Sequence, residues 1–293
     1  MENNQEGRLK TDPFIRHHCP NFLLCLFQPS LPEAKYRPYL KQQRRAGMQC
    51  GRGFQQLLVV LLWCGVLFPV AAEDVYRQQR EVMLDEVERE LRVLAVPFGL
   101  EGLSPRLRVA MADVPRHEFV PPQQRANAYQ NRPLSIGYGQ TISQPLIVAL
   151  MTELLQVSAG DRVFELGTGS GYQAAVLDRL GVDVYSMEIV EELADQAKQR
   201  LQQLGFDRIR VHLGDGYHGL PQAAPFDAII VTAAGSHVPP PLVRQLKRGG
   251  RMVLPVGNRY HVQQLVLVIK GLDGSLTTQE ILPVSFVPLT GSH

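Results

Sequence analysis

The apolar residues of the middle of the chain recur with helical spacing. The clearest case runs over residues 75–94, where Val75, Met83, Val87 and Leu91 keep this spacing among Arg, Gln and Glu side chains and predict an amphipathic helix. Residues 131–139, in contrast, are rich in turn-forming residues. Two further helices are predicted over residues 104–112 and 145–156.

After Gly160 the pattern changes to short apolar strands that alternate with helices. Strands that alternate with helices at this spacing predict a parallel sheet with helices on both faces. The expected fold is therefore α/β, with a Rossmann-like, doubly wound, mostly parallel sheet and an N-terminal helical subregion. Lys247 and Arg248 are expected at the C-terminal end of a helix. The predicted strands cover residues 162–166, 182–187, 209–213, 228–232, 251–255, 264–270 and 280–287, the predicted helices cover 172–180 and 191–204, and Asp273-Gly274 is the predicted turn between the last two strands.

Composition and charge narrow the possible functions. The 293 residues carry a formal net charge of +2. Residues 1–72 hold nine of the 30 Lys and Arg and four of the 28 Asp and Glu, which leaves 21 basic and 24 acidic residues beyond them. The main body is mildly acidic, so nucleic acid is not an expected partner. All four cysteines lie in the first 64 residues, and the histidines lack the spacing of metal ligands, so no metal site is expected.

The N-terminal segment resembles a targeting sequence. Residues 1–47 are predicted to be unstructured or to be an extension from start-site choice. Residues 48–72 combine Arg52, an uncharged apolar run and Ala71-Ala72, the pattern of a secretory signal peptide. The folded domain is then expected over residues 73–293, with an N-terminal helical region at 73–157 and the sheet at 158–293.

A glycine-rich segment follows the first strand of the predicted sheet. It runs Phe164-Glu165-Leu166-Gly167-Thr168-Gly169-Ser170-Gly171-Tyr172. Glycines at alternate positions let the backbone turn tightly and approach a ligand closely. The spacing differs from the G-x-G-x-x-G of dinucleotide-binding proteins, which argues against a nicotinamide-dependent dehydrogenase. A glycine-rich turn without a ligand is the alternative interpretation.

Two acidic residues follow the next two strands. Glu188 ends the second strand, where a carboxylate can bind both ribose hydroxyls of a nucleoside. Asp215 follows the third strand, where a carboxylate can meet an adenine amino group. Either acid alone is compatible with a solvated turn residue. Together with the glycine loop, they resemble the class I S-adenosylmethionine-dependent methyltransferases.

Further motifs narrow this resemblance to the protein-L-isoaspartate O-methyltransferases. The resemblance begins near residue 80 and continues to the C-terminus in five separate motifs. Those motifs are Val114-Pro115-Arg116-His117-Glu118-Phe119-Val120-Pro121, Gly139-Gln140-Thr141-Ile142-Ser143-Gln144-Pro145, Phe226-Asp227-Ala228-Ile229-Ile230-Val231-Thr232-Ala233-Ala234, Gly249-Gly250 with Pro255-Val256-Gly257, and Phe286-Val287-Pro288-Leu289-Thr290-Gly291.

The resemblance implies an enzyme that uses S-adenosyl-L-methionine to methylate the free α-carboxylate of L-isoaspartyl residues. Its partners would be damaged proteins and peptides, and it would be a monomer in the cytoplasm. The methyl ester then collapses to a succinimide, which hydrolyses partly to aspartate. A methyltransferase for another acceptor and an exported, non-catalytic relative are the alternatives. The residues implied for cofactor binding are Glu165, Gly167, Thr168, Gly169, Gly171, Glu188, Ile189, Asp215, Gly216 and Thr290, with Thr141 and Ile142 on the substrate side.

Ser143 has two interpretations. The resemblance places it at the active-site serine of the family, where a hydroxyl can orient the acceptor carboxylate. From the residues alone it is a candidate N-cap for the helix that begins near Pro145. Both roles are compatible with the sequence. The location is also open, since residues 48–72 would place the domain in the periplasm or on a membrane, whereas the cofactor is made in the cytosol.

Overall fold

A computed structural model describes residues 75–257 and 262–291. The predicted N-terminal extension and signal-like segment lie outside the described residues. The helices are α1 (Arg77–Leu94), α2 (Pro105–Asp113), α3 (Pro145–Leu155), α4 (Tyr172–Arg179), α5 (Glu191–Gln203) and α6 (Pro240–Gln245). The strands are β1 (Leu134–Gly137), β2 (Gln140–Ile142), β3 (Arg162–Leu166), β4 (Asp183–Glu188), β5 (Arg210–Leu213), β6 (Phe226–Val231), β7 (Leu246–Val256), β8 (Gln263–Lys270) and β9 (Leu276–Val284).

Seven strands form one sheet in the order β5-β4-β3-β6-β7-β8-β9. The first five are parallel, and β8 and β9 are antiparallel to their neighbours. The chain leaves β3 for β4 and β5 and then returns to β6 on the other side of β3. Such a reversal of strand order creates a crevice at the carboxyl ends of the strands, where doubly wound proteins bind ligands. The predicted mostly parallel sheet is confirmed.

The two faces of the sheet have separate apolar layers. Val163 belongs to the layer that α1 to α5 cover, whereas its neighbour Phe164 packs in the opposite layer with Leu242 of α6. This alternation follows from the two-residue period of a strand, and burial on both faces explains why the central strands are almost wholly apolar. Helices therefore lie on both faces of the sheet, with α1 to α5 on one face and α6 on the other.

The N-terminal helices α1 and α2 pack through apolar stripes on other helices, α1 on α2 and α3, and α2 also on α4. In α1, Met83, Val87 and Leu91 are buried as predicted, but Val75 precedes the helix and is exposed. Ser104 is the N-cap of α2, and its side chain accepts a hydrogen bond from the Leu107 N–H at 3.3 Å. No helix in the described part of the chain is long and apolar enough to cross a membrane.

Three elements differ from the sequence-based expectation. The turn-rich segment 131–139 contains β1, which pairs with β2 in a small antiparallel sheet of its own. Helix α6 was predicted only through its expected end at Lys247 and Arg248. It ends at Gln245, so Lys247 and Arg248 lie in β7 and the expected helix end at these residues is wrong.

Candidate functional site

The glycine loop lies at the carboxyl end of the central strand β3. The N–H groups of Gly167 and Thr168 donate to the Met187 carbonyl at 2.8 and 3.3 Å, which fixes the loop to β4. Gly167 has φ +96°, and a Cβ there would collide with Thr232 Oγ1. Gly169 also has a positive φ and lines the cleft above the loop. The floor of this cleft is therefore backbone, which a ligand can approach closely.

Glu188 ends β4 with its carboxylate buried beside the loop. Its Oε2 accepts the Gly169 N–H at 2.8 Å, and its Oε1 accepts the N–H groups of Ile189 and Val190 at 3.0 Å each. A carboxylate offers about four acceptor positions, so the three N–H donors leave room for a further hydroxyl donor. Glu188 lines the cleft and can accept a ribose hydroxyl there.

Glu165 lies beneath the glycine loop and not in the cleft. Its side chain is fully buried, and Ser186 Oγ donates to Glu165 Oε2 at 2.5 Å. The hydroxyl of Thr168 lies 2.5 Å from Ser186 Oγ, so a chain of polar groups joins Glu165 to the loop. Burial raises the pKa of Glu165 to about 8; the Ser186 hydrogen bond opposes this rise and the charge of Glu188 adds to it. Glu165 is therefore mainly protonated at neutral pH.

The cleft brings together most of the predicted cofactor-binding residues. Segment 287–290 forms its opposite wall, because the Ala234 N–H donates to the Val287 carbonyl and the Leu289 N–H to the Ala234 carbonyl, both at 2.8 Å. The predicted residues that line this cofactor cleft are Gly167, Gly169, Glu188, Ile189, Gly216 and Thr290, together with the substrate-side Thr141.

Four predicted cofactor residues do not line the cleft. Thr168 lies in the loop and lines a small cavity beside the cleft instead. Glu165 lies below the loop, as described. Gly171 is the N-cap of α4 and lies against Leu201. The Asp215 side chain accepts the Tyr217 N–H at 3.0 Å and so begins a 3-10 turn, although Gly216 beside it does reach the cleft.

A small cavity continues from the cleft toward α3. It is lined by Thr168, Ile142 and Ser143, which the sequence analysis had assigned to the site, and by Tyr172. Tyr172 is the first residue of α4. Its side chain is buried and also borders this cavity. The cavity therefore joins the glycine loop to Ser143.

Beyond Ser143 opens a larger pocket of about 560 Å³, here called the acceptor pocket. None of its described lining residues has an ionisable side chain. It adjoins the cofactor cleft, because Thr141 and Thr232 line both. The lining residues are Leu94, Pro133, Thr141, Ser143, Gln144, Leu146, Ile147, Thr232, Leu282, Pro283, Val284, Ser285, Phe286 and Val287.

Ser143 is not the N-cap of α3, so the capping interpretation is wrong. The N-cap is Gln144, whose side chain makes no capping hydrogen bond. Asn131 supplies the cap from a distant part of the chain, because its Oδ1 accepts the Leu146 N–H at 3.0 Å. The Ser143 hydroxyl therefore has no capping role that would compete with one in the acceptor pocket.

Two residues of the site carried no role in the sequence analysis. Thr232 lines the cleft, the small cavity and the acceptor pocket, and its Oγ1 contacts the Leu166 and Gly167 carbonyls at 3.0 and 2.7 Å. Its position at the carboxyl end of β6, next to the strand reversal, was the available signal. Arg116 donates through Nη2 to the Ser143 carbonyl at 2.7 Å, and no sequence pattern indicated that contact.

The chemistry of the cleft fits a nucleoside with an amino acid attached. The backbone of the glycine loop can bind the polar main-chain groups of the amino acid. Glu188 can accept hydrogen bonds from the ribose hydroxyls, and Ile189 and Leu289 offer apolar contacts to the base. The described residues contain no cluster of three or more His, Cys, Asp or Glu that could hold a metal ion.

The chain is similar to known proteins over most of its length. Residues 101–293 match the family model of protein-L-isoaspartate(D-aspartate) O-methyltransferase. A protein-L-isoaspartate O-methyltransferase 2 of Syntrophobacter fumaroxidans is 57% identical over 76% of this chain and 90% of its own. Another of that name, from a Polaromonas species, is 59% identical over 72% of this chain and 100% of its own. A solved protein-L-isoaspartate O-methyltransferase superposes with a TM-score of 0.63 at 30% identity, covering 72% of this chain and 66% of that chain.

Proposed function

This chain belongs to the protein-L-isoaspartate(D-aspartate) O-methyltransferase family, and we propose on that premise that it initiates the repair of damaged proteins. It methylates the free α-carboxylate of L-isoaspartyl residues in proteins and peptides. S-adenosyl-L-methionine is the methyl donor. The methyl ester collapses to a succinimide without further catalysis, and the succinimide hydrolyses partly to aspartate.

One observation supports a carboxylate as acceptor: the acceptor pocket has no ionisable side chain among its described lining residues. An α-carboxylate has a pKa of about 3.3–3.7 and is already ionised at neutral pH, so its methylation needs no general base. An amine or hydroxyl acceptor would have to lose a proton near the reaction, and the pocket offers no side chain to take it.

The residues of the site therefore act by positioning and by excluding water. When bound, S-adenosyl-L-methionine would supply a sulfonium methyl group, to whose carbon a carboxylate oxygen bonds in line as the methyl–sulfur bond breaks and the neutral thioether S-adenosyl-L-homocysteine leaves. The glycine loop and Glu188 hold the nucleoside end, whereas Ser143 donates a hydrogen bond that orients the carboxylate. The apolar lining formed by Leu146, Ile147 and Phe286 keeps water away. A dry site favours the step because opposite charges are neutralised in it.

We assign the finer roles in the cofactor site as follows. Glu188 accepts the ribose hydroxyls, and Ile189 and Thr290 contact the nucleoside. Asp215 orients Gly216 beside the base through its hydrogen bond to the Tyr217 N–H. Glu165 and Thr168 support the loop from below through Ser186.

We further propose that the enzyme is a monomer whose active pool is cytoplasmic, where S-adenosyl-L-methionine is made. Residues 73–157 supply Thr141, Ile142 and Ser143 to the acceptor side, and residues 158–293 supply the cofactor-binding sheet. The contribution of segment 282–287 to the acceptor pocket means that both parts meet there.

The decisive experiment compares two peptides that differ at one residue. Methyl transfer from labelled S-adenosyl-L-methionine is measured with a peptide containing L-isoaspartate and with the same peptide containing aspartate. We expect label in the isoaspartyl peptide alone, in a product that is lost at alkaline pH as the ester collapses. Equal labelling of both peptides, or of neither, would contradict the proposed function.

The role of Ser143 is tested by Ser143→Ala. We expect the methylation rate to fall about 5–100-fold, as is typical when a hydrogen bond to a charged group of about 1–3 kcal/mol is lost. Cofactor affinity and melting temperature should stay within error, because Asn131 and not Ser143 caps α3. Ser285→Ala in the same pocket is the matched control. Full activity of Ser143→Ala would exclude Ser143 from carboxylate orientation.

A further inference from the structure

Arg116 is a fully buried cation at the junction of the acceptor side and the cofactor side. Its Nε donates to the Ala128 carbonyl at 2.8 Å, and its Nη2 donates to the Ser143 carbonyl at 2.7 Å. Its guanidinium carbon lies 4.7 Å from the centre of the Tyr172 ring. One planar group therefore touches three segments that are distant in sequence.

Each of these contacts bears on the reaction. Ser143 lines the acceptor pocket, and its hydroxyl is the group proposed to orient the acceptor carboxylate. Tyr172 is the first residue of α4 and follows the glycine loop directly. Its N–H donates to Ser170 Oγ at 3.3 Å, so a shift of the ring would be transmitted to the loop. Arg116 thus contacts Ser143 and Tyr172, which line one small cavity together with the glycine loop.

Stability alone does not account for a charge at this position. None of the ion pairs among the described residues includes Arg116, and burial lowers its pKa. A buried charge without a carboxylate partner carries a desolvation penalty, and a neutral amide side chain could donate to carbonyls without that penalty. The guanidinium is instead suited to holding neighbouring groups in fixed positions, because its rigid fork donates hydrogen bonds in fixed directions while its face stacks on a ring.

We propose that Arg116 is a positioning residue that sets the distance between Ser143 and the glycine loop. By holding the Ser143 carbonyl and the Tyr172 ring at once, it fixes the acceptor carboxylate in line with the bound methyl group. A misplacement of about 1 Å in such a step can reduce a rate by about 10²-fold. This inference rests on the proposed function, since it assumes that Ser143 orients the acceptor.

The test uses Arg116→Lys in the full-length chain, alone and combined with Ser143→Ala. Lysine keeps the charge but lacks the planar fork. The matched control is Arg251→Lys, because Arg251 Nη1 donates to the Leu154 carbonyl at 2.8 Å, at the opposite end of α3 from Ser143. Rates are measured at saturating isoaspartyl peptide and cofactor, and melting temperatures are recorded for every variant.

We expect Arg116→Lys to lower kcat at least tenfold and Arg251→Lys to lower it less than twofold. In the Ser143→Ala background, Arg116→Lys should lower kcat less than threefold further, because residues that act through one another are not additive. Arg116→Met covers the case in which lysine impairs folding: it leaves the Ala128 and Ser143 carbonyls without this donor, so its melting temperature should fall, whereas kcat measured well below that temperature should still fall at least tenfold.

Two results would overturn the inference. One is a kcat loss for Arg116→Lys that does not exceed the loss for Arg251→Lys, and the other is an equal fold-loss with and without Ser143. A wild-type enzyme that does not methylate the isoaspartyl peptide would contradict the proposed function instead. In that case calorimetry still tests the contact with Tyr172, because a shift of this ring would reach the glycine loop that binds the cofactor. The Kd for S-adenosyl-L-methionine should rise at least threefold in Arg116→Lys and remain unchanged in Arg251→Lys.

Discussion

Two carboxyl groups at the ends of neighbouring strands have opposite environments. Glu188 receives three backbone N–H donors, which stabilise its charge, whereas Glu165 is buried with one hydroxyl donor. The sequence identified both as acidic residues near the glycine loop, but it could not show which of them reaches the cleft. In the sheet Glu165 is paired with Ser186, two residues before Glu188, so Glu188 is the one that lies nearer the carboxyl ends of the strands, where the cleft is.

At Glu188 we predict a loss of cofactor affinity upon substitution. Glu188→Ala should weaken S-adenosyl-L-methionine binding by about 1–3 kcal/mol, the cost of hydrogen bonds to a charged group. Glu188→Gln keeps one carbonyl acceptor and should lose less. Affinities are measured by calorimetry, with Glu192→Ala in the exposed first turn of α5 as control. Unchanged affinity in Glu188→Ala would remove Glu188 from the site.

The raised pKa of Glu165 predicts a pH-dependent stability. The unfolded chain releases this proton near its ordinary pKa of 4.5, whereas the folded protein holds it up to about 8. The folded state thus binds the extra proton between these values, and its stability falls as the pH rises through that window. Glu165→Gln should flatten the decline of melting temperature between pH 5 and 8. The exposed Glu280→Gln should leave the wild-type slope unchanged, and a slope unaltered in Glu165→Gln would contradict the raised pKa.

Among the elements, helix α3 has the clearest link to function, because its first turn follows Ser143. Nine of its eleven residues are buried, so its position depends on packing and on the cap from Asn131. Asn131 also donates through Nδ2 to Glu90 Oε1 at 3.3 Å, which connects the start of α3 to α1. The acceptor side is therefore held by contacts between segments distant in sequence.

We predict that Asn131→Ala loosens this start of α3. Loss of an N-terminal cap costs about 1 kcal/mol, which lowers the melting temperature of a protein of this size by about 2–4 °C. The control is Asn127→Ala, whose side chain contacts only nearby residues in its hydrogen bonds to Gln124 and Gln130. If both variants melt alike, the cap does not stabilise α3 as the geometry indicates.

The length of an element and the residues that flank it explain which elements could be predicted from the sequence. Strand β3 was predicted with its observed bounds, because a short apolar run followed by glycines determines both its burial and its end. Strands β1 and β2 have four and three residues, too few to display a period, and the nearby turn formers Pro133, Gly137 and Gly139 concealed them. In β7, Gly249-Gly250 separates the first residues of the strand from its apolar part. The residues before the glycines therefore resembled the end of a helix.

At the scale of the whole molecule, the N-terminal segment and the rest of the chain differ in charge and in apolar character. Residues 1–72 are basic and contain the apolar run 57–68, whereas the body that carries the site is mildly acidic. The body needs S-adenosyl-L-methionine, which is made in the cytosol. The leader has the pattern of an export signal. An uncleaved segment would not reconcile them, since Arg44, Arg45 and Arg52 should stay inside and direct the domain outward.

We predict that the active pool is cytoplasmic, because without its cofactor the site cannot function. Cells that express the full chain are fractionated, methyl transfer to the isoaspartyl peptide is assayed in each fraction, and the enzyme is sequenced from its N-terminus. Most activity should be cytosolic, on molecules that retain residues 48–72. Leu61→Arg, which interrupts the apolar run, should give the same distribution. Recovery of most of the protein outside the cytosol, beginning at Glu73, would overturn this prediction and would require a source of the cofactor there.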